Sequence, residues 1–139
     1  MLTRSFDTAR INEVINHPEV RPYVGAVSYG YVDMAPVVAK QEDWFLMGDH
    51  GGFLLSWSAP GVREIHTFVL PEGRGRWAAK ARAEMLGYAR ENGTHTLWTK
   101  IDPEHRHTVQ FARRGGMQPT ADVINAFGTP YQVYKMELR

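Results

Sequence analysis

Glycine and arginine alternate at Gly73-Arg74-Gly75-Arg76, between an apolar, strand-like run ending Phe68-Val69-Leu70 and an unbroken helical sequence ending Arg90-Glu91-Asn92-Gly93. That order brings backbone N–H groups, a helix N-terminus and two guanidinium groups to one point. The chemistry offered there is anion binding. Turn amides and the positive end of a helix dipole face phosphate oxygens, and arginine forks match them. A lone Gly-x-Gly is a weak phosphate signal; its place between strand and helix strengthens it.

Other chemistries are excluded by what is missing. The chain has no cysteine, so disulfides, thiolate zinc sites and cysteine nucleophiles are ruled out. His105 and His107 point to different faces of a helix, the other histidines are scattered, and no His-Glu-x-x-His occurs, so no metal site is expected. Gly-x-Ser-x-Gly is absent, which leaves serine hydrolysis unsupported.

At 139 residues, one domain spanning 1–139 is expected. A hydrophobic fraction of 43% with 12% aromatics describes a folded protein. The formal charge of +1 argues against nucleic acid as a partner, even though the helices carry arginines. The start, Met-Leu-Thr-Arg-Ser-Phe-Asp, lacks a leader's apolar core, and no run reaches membrane-span length. The expectation is a cytoplasmic protein with no membrane partner.

Along the chain, 2–6 reads as a short strand and Asp7 as the cap of a helix through Asn16, with Ile11, Val14 and Ile15 on its buried side. A second short helix is expected from Pro18 to about Gly25, then a loop over 26–40. Strands 44–47 and 52–57 flank Gly48-Asp49-His50-Gly51, a hairpin signal, and 63–70 is a third strand. The principal helix is 76–92, with Ala78, Ala81, Met85 and Ala89 on one stripe. Strand 94–101, a helix from 102 to about 115, then Met117-Gln118, a loop over 120–130 and a strand 131–138 complete it. The order β-α-α-β-β-β-α-β-α-β-β implies one α/β domain with a mixed, largely antiparallel sheet.

This order and these residues resemble the GNAT superfamily of acyl-coenzyme A-dependent N-acyltransferases, over essentially the whole chain. The specific part is Val69-Leu70-Pro71-Glu72-Gly73-Arg74-Gly75 with the helix ending Tyr88-Ala89-Arg90-Glu91-Asn92-Gly93. Members show a strand ending Val-x-Pro-Glu, then Arg-Gly-x-Gly-x-Gly/Ala, then a helix closing near Ala-x-x-x-Gly. A second block, 104–117, is similar to the family's Asn-x-x-Ala-x-x-x-Tyr-x-x-x-Gly-Phe. Ile15-Asn16-His17-Pro18 and 70–75 are similar to small acetyltransferase-like proteins of bacteriophages. The chain departs from the pattern at Trp77, where the next glycine is usual, and at His105, which replaces the Asn. Ala112 stands where many members have the tyrosine that protonates the departing thiolate.

The resemblance implies a GNAT-like fold and acetyl-coenzyme A as cosubstrate. The acetyl group would pass by direct attack to a primary amine of a small molecule, or of a protein lysine or N-terminus. Backbone amides of Phe68, Val69 and Leu70 would bind the oxyanion, beside a strand bulge that parts this strand from 94–101. Gly73, Arg74, Gly75, Arg76, Trp77, Ala78 and Ala79 would surround the diphosphate, with His105 and Arg106 near the phosphates or adenine. Glu64 is the base candidate and His66 the second, since Glu64, His66 and Phe68 share a strand face and partial burial tunes such groups towards neutral pH. The plain alternative for these residues is solvated charge on a sheet face and a first helical turn, with Trp77 packing. Tyr131, Tyr134 and water remain as proton donors. The amine would enter beside the first two helices and the loops 26–40 and 120–130, lined by Tyr23, Tyr29, Tyr31 and Trp57. Trp77 and Ala112 leave open a non-catalytic module acting through protein contacts, in a phage particle or on a host protein. A homodimer also stays open, with 131–138 as a pairing edge.

Overall fold

The computed structural model describes residues 1–25 and 30–139. In chain order the elements are β1 (Thr3–Arg4), α1 (Thr8–Ile15), α2 (Ala35–Val38), β2 (Trp44–Gly48), β3 (Gly51–Ala59), β4 (Val62–Val69), α3 (Arg76–Glu91), β5 (Thr96–Ile101), α4 (Arg106–Arg114), β6 (Gln118–Ala126) and β7 (Thr129–Glu137). Short 3-10 turns stand at Arg21–Tyr23 and Pro71–Gly73. The strands form one sheet ordered β1-β2-β3-β4-β5-β7-β6. Every pair is antiparallel except β4 with β5, which is parallel. Among the described residues no helix is long and apolar enough to cross a membrane.

Alternation along the strands divides the core between two faces. On one, Ile11, Val14 and Ile15 of α1 meet Phe45, Met47, Leu54 and Phe68. On the other, Ala81, Met85 and Ala89 of α3 and Ala112 of α4 meet Leu46, Phe53, Leu55, Ile65 and Leu97. The stripe expected on the principal helix is the buried one, Ala78, Ala81, Met85 and Ala89. Its three alanines let the helix lie close to the strands.

Two expectations along the chain fail for local reasons. The second helix does not occupy 18–25. Pro22 would remove a helical hydrogen bond and press its ring on the carbonyl four residues back, at Pro18, so only the turn Arg21–Tyr23 forms. The second helix is instead α2, inside the segment read as a loop, started by an Asp33 carboxylate that accepts the Ala35 amide at 3.0 Å. The stretch 120–130 is mostly strand β6. Its register shifts between Pro119 and Val123, and Gln132 Nε2 reaches in to the Thr120 carbonyl at 2.7 Å. Strand β7 therefore lies between β5 and β6. The free edge at that side of the sheet is β6, not 131–138.

Candidate active site

The parallel pair β4–β5 holds for three rungs, Val62 with Thr96, Arg63 with Leu97 and Glu64 with Trp98, and then stops. Beyond it, Ile65 to Val69 stay paired to β3, and Thr99 to Ile101 stay paired to β7. Each strand follows its own outer neighbour, so the two diverge without either losing its ladder. No register shift accompanies the parting. The only one in the β3–β4 ladder lies at Trp57/Ala59, the opposite end, so the expected bulge near Phe68 is absent. A Thr99 hydroxyl spans the narrow end of the gap between β4 and β5, donating to the Ile65 carbonyl at 3.0 Å. Behind it lies a cavity of about 50 Å³ whose walls include Ile65, Thr67, Thr99, Ile101, Phe111 and Ala112.

Backbone amides on one strand alternate in direction. Leu70 donates its amide to the His50 carbonyl at 2.9 Å, so Leu70 and Phe68 face β3. Of the three residues expected to bind an oxyanion, Val69 alone directs its N–H across the gap. Thr67, which the sequence did not single out, does the same. Neither period nor composition marks this alternation; it is fixed by which amides the β2–β3 hairpin captures.

The turn at the wide end of the gap resolves amide by amide. Gly73 donates to Leu70 at 2.9 Å, Arg74 to Pro71 at 3.3 Å and Ala79 to Gly75 at 3.0 Å. The amides of Gly75, Arg76, Trp77 and Ala78 belong to the first turn, where the helix supplies no acceptor. Gly75 is the N-cap, with φ 100° and ψ −122°, and offers no side chain to cap them. That backbone geometry suits glycine. Neither α3 nor α4 has an acidic residue in its first turn. Both begin on an exposed arginine, Arg76 and Arg106. Cations at a helix N-terminus oppose the macrodipole unless an anion joins them.

Trp77 is half-buried, its ring edge-on to His50 with centroids 5.2 Å apart. Its seat is made by two glycines of the hairpin and the turn. A Cβ on Gly48 would stand 2.9 Å from the indole, and one on Gly73 would stand 3.0 Å from it and 2.4 Å from His50. The tryptophan that breaks the motif thus has its own packing site. Arg74 donates to the Glu19 carbonyl at 2.6 Å, and His105 meets Tyr23 edge-on at 4.8 Å. The segment after α1 is tied in this way to the starts of both α3 and α4.

On the α1 face, just where the rungs end, Glu64 Oε2 accepts from Lys100 Nζ at 2.6 Å, and Glu64 Oε1 lies 3.4 Å from His66 Nε2. The Glu64 side chain is 13% exposed. Burial alone would raise its carboxyl, but hydrogen bonds and charge from His66 and Lys100 outweigh this and hold it below the ordinary carboxylate value. The expected tuning of Glu64 towards neutral pH is therefore corrected. Lys100 was missed because its pairing spans 36 positions and no local pattern encodes it. Among the other expected residues, Tyr134 is buried in the core. Trp57 pairs with Arg63 at the closed end of β4, away from the gap. Tyr23 and Tyr31 are exposed, and Tyr29 lies outside the described residues.

No protein-family model matches the chain, and no curated protein matches it by sequence. Solved structures do match. Spermidine N-acetyltransferase of Vibrio cholerae, in complex with coenzyme A and spermine, is 11% identical with a TM-score of 0.76, covering 99% of this chain and 95% of that one. Ribosomal-protein-alanine N-acetyltransferase of Brucella melitensis is 15% identical with a TM-score of 0.75, covering 99% of each chain. A candidate acetyltransferase of Salmonella typhimurium, solved with acetyl-coenzyme A, is 19% identical with a TM-score of 0.74, covering 100% of this chain and 95% of that one. Strand order, the single parallel joint that parts, and these likenesses together establish that the chain has the fold of the GNAT N-acyltransferases.

Proposed function

We propose that the protein transfers an acetyl group from acetyl-coenzyme A to a primary amine. The observation that carries this reading is the parting of β4 from β5 with two uncapped, arginine-bearing helix starts beside it. The diphosphate lies on the amides of 75–78, with Arg76 and Arg106 supplying charge. The pantetheine arm enters the gap, and the amides of Val69 and Thr67 meet the oxygen that becomes anionic as the amine attacks. Glu64, ionised at neutral pH, draws the acceptor ammonium to the α1 face and takes its proton, with His66 alongside. Ala112 has no proton to give, so water protonates the thiolate. Amine acceptors in the matched structures, spermine above all, support an amine here, of a small molecule or a protein.

Calorimetry with coenzyme A, followed by thiol release across a panel of polyamines, amino acid amides and peptides, tests the proposal. Binding and amine-dependent release of thiol are expected. No binding at millimolar coenzyme would end the reading. Binding without release to any amine would leave a coenzyme site without transfer chemistry.

A further inference from the structure

We propose that Lys100 is itself an acceptor, and that with acetyl-coenzyme A bound the chain acetylates its own Lys100 Nζ. The inference rests on the coenzyme reading above. Lys100 lies on β5 two residues past the last rung shared with β4. Thr99 and Ile101 face the cavity, so Lys100 and Trp98, alternating with them, face α1. Acylating an amine requires the amine, a group to take its proton, and a path to the acyl carbon. All three meet here. Lys100 Nζ is 2.6 Å from Glu64 Oε2 and its side chain is 26% exposed; its backbone lies past the last shared rung, where β5 has parted from β4. Among the described residues, Lys100 alone of the four lysines forms an ion pair. Lys40, Lys80 and Lys135 are exposed.

The step balances. The ammonium releases one proton along the existing hydrogen bond, and Glu64, held ionised, relays it to solvent. The free amine attacks the acyl carbon; the C–N bond forms, the C–S bond breaks, and the coenzyme leaves as its thiolate. The second nitrogen proton passes through water to that thiolate, and Glu64 ends as it began, ionised. The product amide is neutral. Glu64 keeps only His66 as a partner, and the acetyl group lies where another amine would approach. Self-acetylation therefore brakes the enzyme.

The test incubates the full chain with acetyl-coenzyme A and no added amine, then reads intact mass and maps peptides. The expected result is a single acetyl group on Lys100, formed at a rate independent of protein concentration, with loss of turnover towards an added amine. Lys100→Arg should remove the label, and Glu64→Gln should slow labelling about a hundredfold. Absence of label on Lys100, in a protein that binds coenzyme and acetylates an added amine, overturns this inference and leaves the proposed function standing. Equal labelling of Lys40, Lys80 and Lys135 also overturns it, since that is chemistry of free coenzyme in solution. Failure to bind coenzyme overturns both.

Discussion

At the start of α1, Asp7 Oδ1 accepts the Arg10 amide at 3.0 Å; at the start of α3, Gly75 has nothing with which to do the same. The two helices face the same physical problem, four amides without helical acceptors. The first is closed by its own sequence, and the helix serves to seal one face of the core. The second is left open at Arg76, next to the end of β4 where the sheet parts. A missing cap, set beside a present one, separates a start closed by its own side chain from one that we propose receives an anion.

The largest effect expected from attacking this contrast is loss of coenzyme binding in Gly75→Glu. It puts a carboxylate at the proposed diphosphate site and forces a side chain onto a left-handed backbone. Calorimetry checks it, with circular dichroism as the folding control; wild-type affinity in the variant would remove α3 from the site. Next, Glu64→Gln should lower turnover about a hundredfold while coenzyme affinity stays unchanged. The same variant tests a pH effect. The folded-state carboxyl lies below its ordinary value, so its contribution to stability is complete above the unfolded value and is lost as pH falls through the folded one. Acid unfolding followed with and without Glu64 should show that limb only in the wild type.

Smaller effects sharpen the comparison. Gly75→Ala meets no neighbouring atom, yet its φ of 100° is strained for alanine, and a loss of about 2 kcal/mol is expected in urea unfolding. Asp7→Ala should cost about 1 kcal/mol by the same measurement and leave coenzyme binding untouched. If Asp7→Ala instead weakened coenzyme binding, the two helix starts would not be functionally separate.

How much of this was legible depends on range. The hairpin at Asp49-His50, the α1 cap and the alanine stripe of α3 are local patterns, and each was read from spacing. The strand–turn–helix junction was legible because glycine and arginine stand between an apolar run and a helical one. What escaped was set by tertiary pairing. The amide directions at Thr67 and Val69 depend on β3, and Lys100 meets Glu64 only because β5 lies beside β4. Most of strand β6 was hidden by its bulge, where Thr120 and Asp122 look like loop residues and Pro119 like a breaker. An edge strand tolerates all three.

Strand β7 carries a consequence for the order in which the molecule is made. A chain leaving the ribosome has the turn before α3 early, but β5 has no outer border until residues 129–137 arrive. The cleft thus comes into being only when the last strand slots in. Until then β5 and β6 are open templates for mispairing.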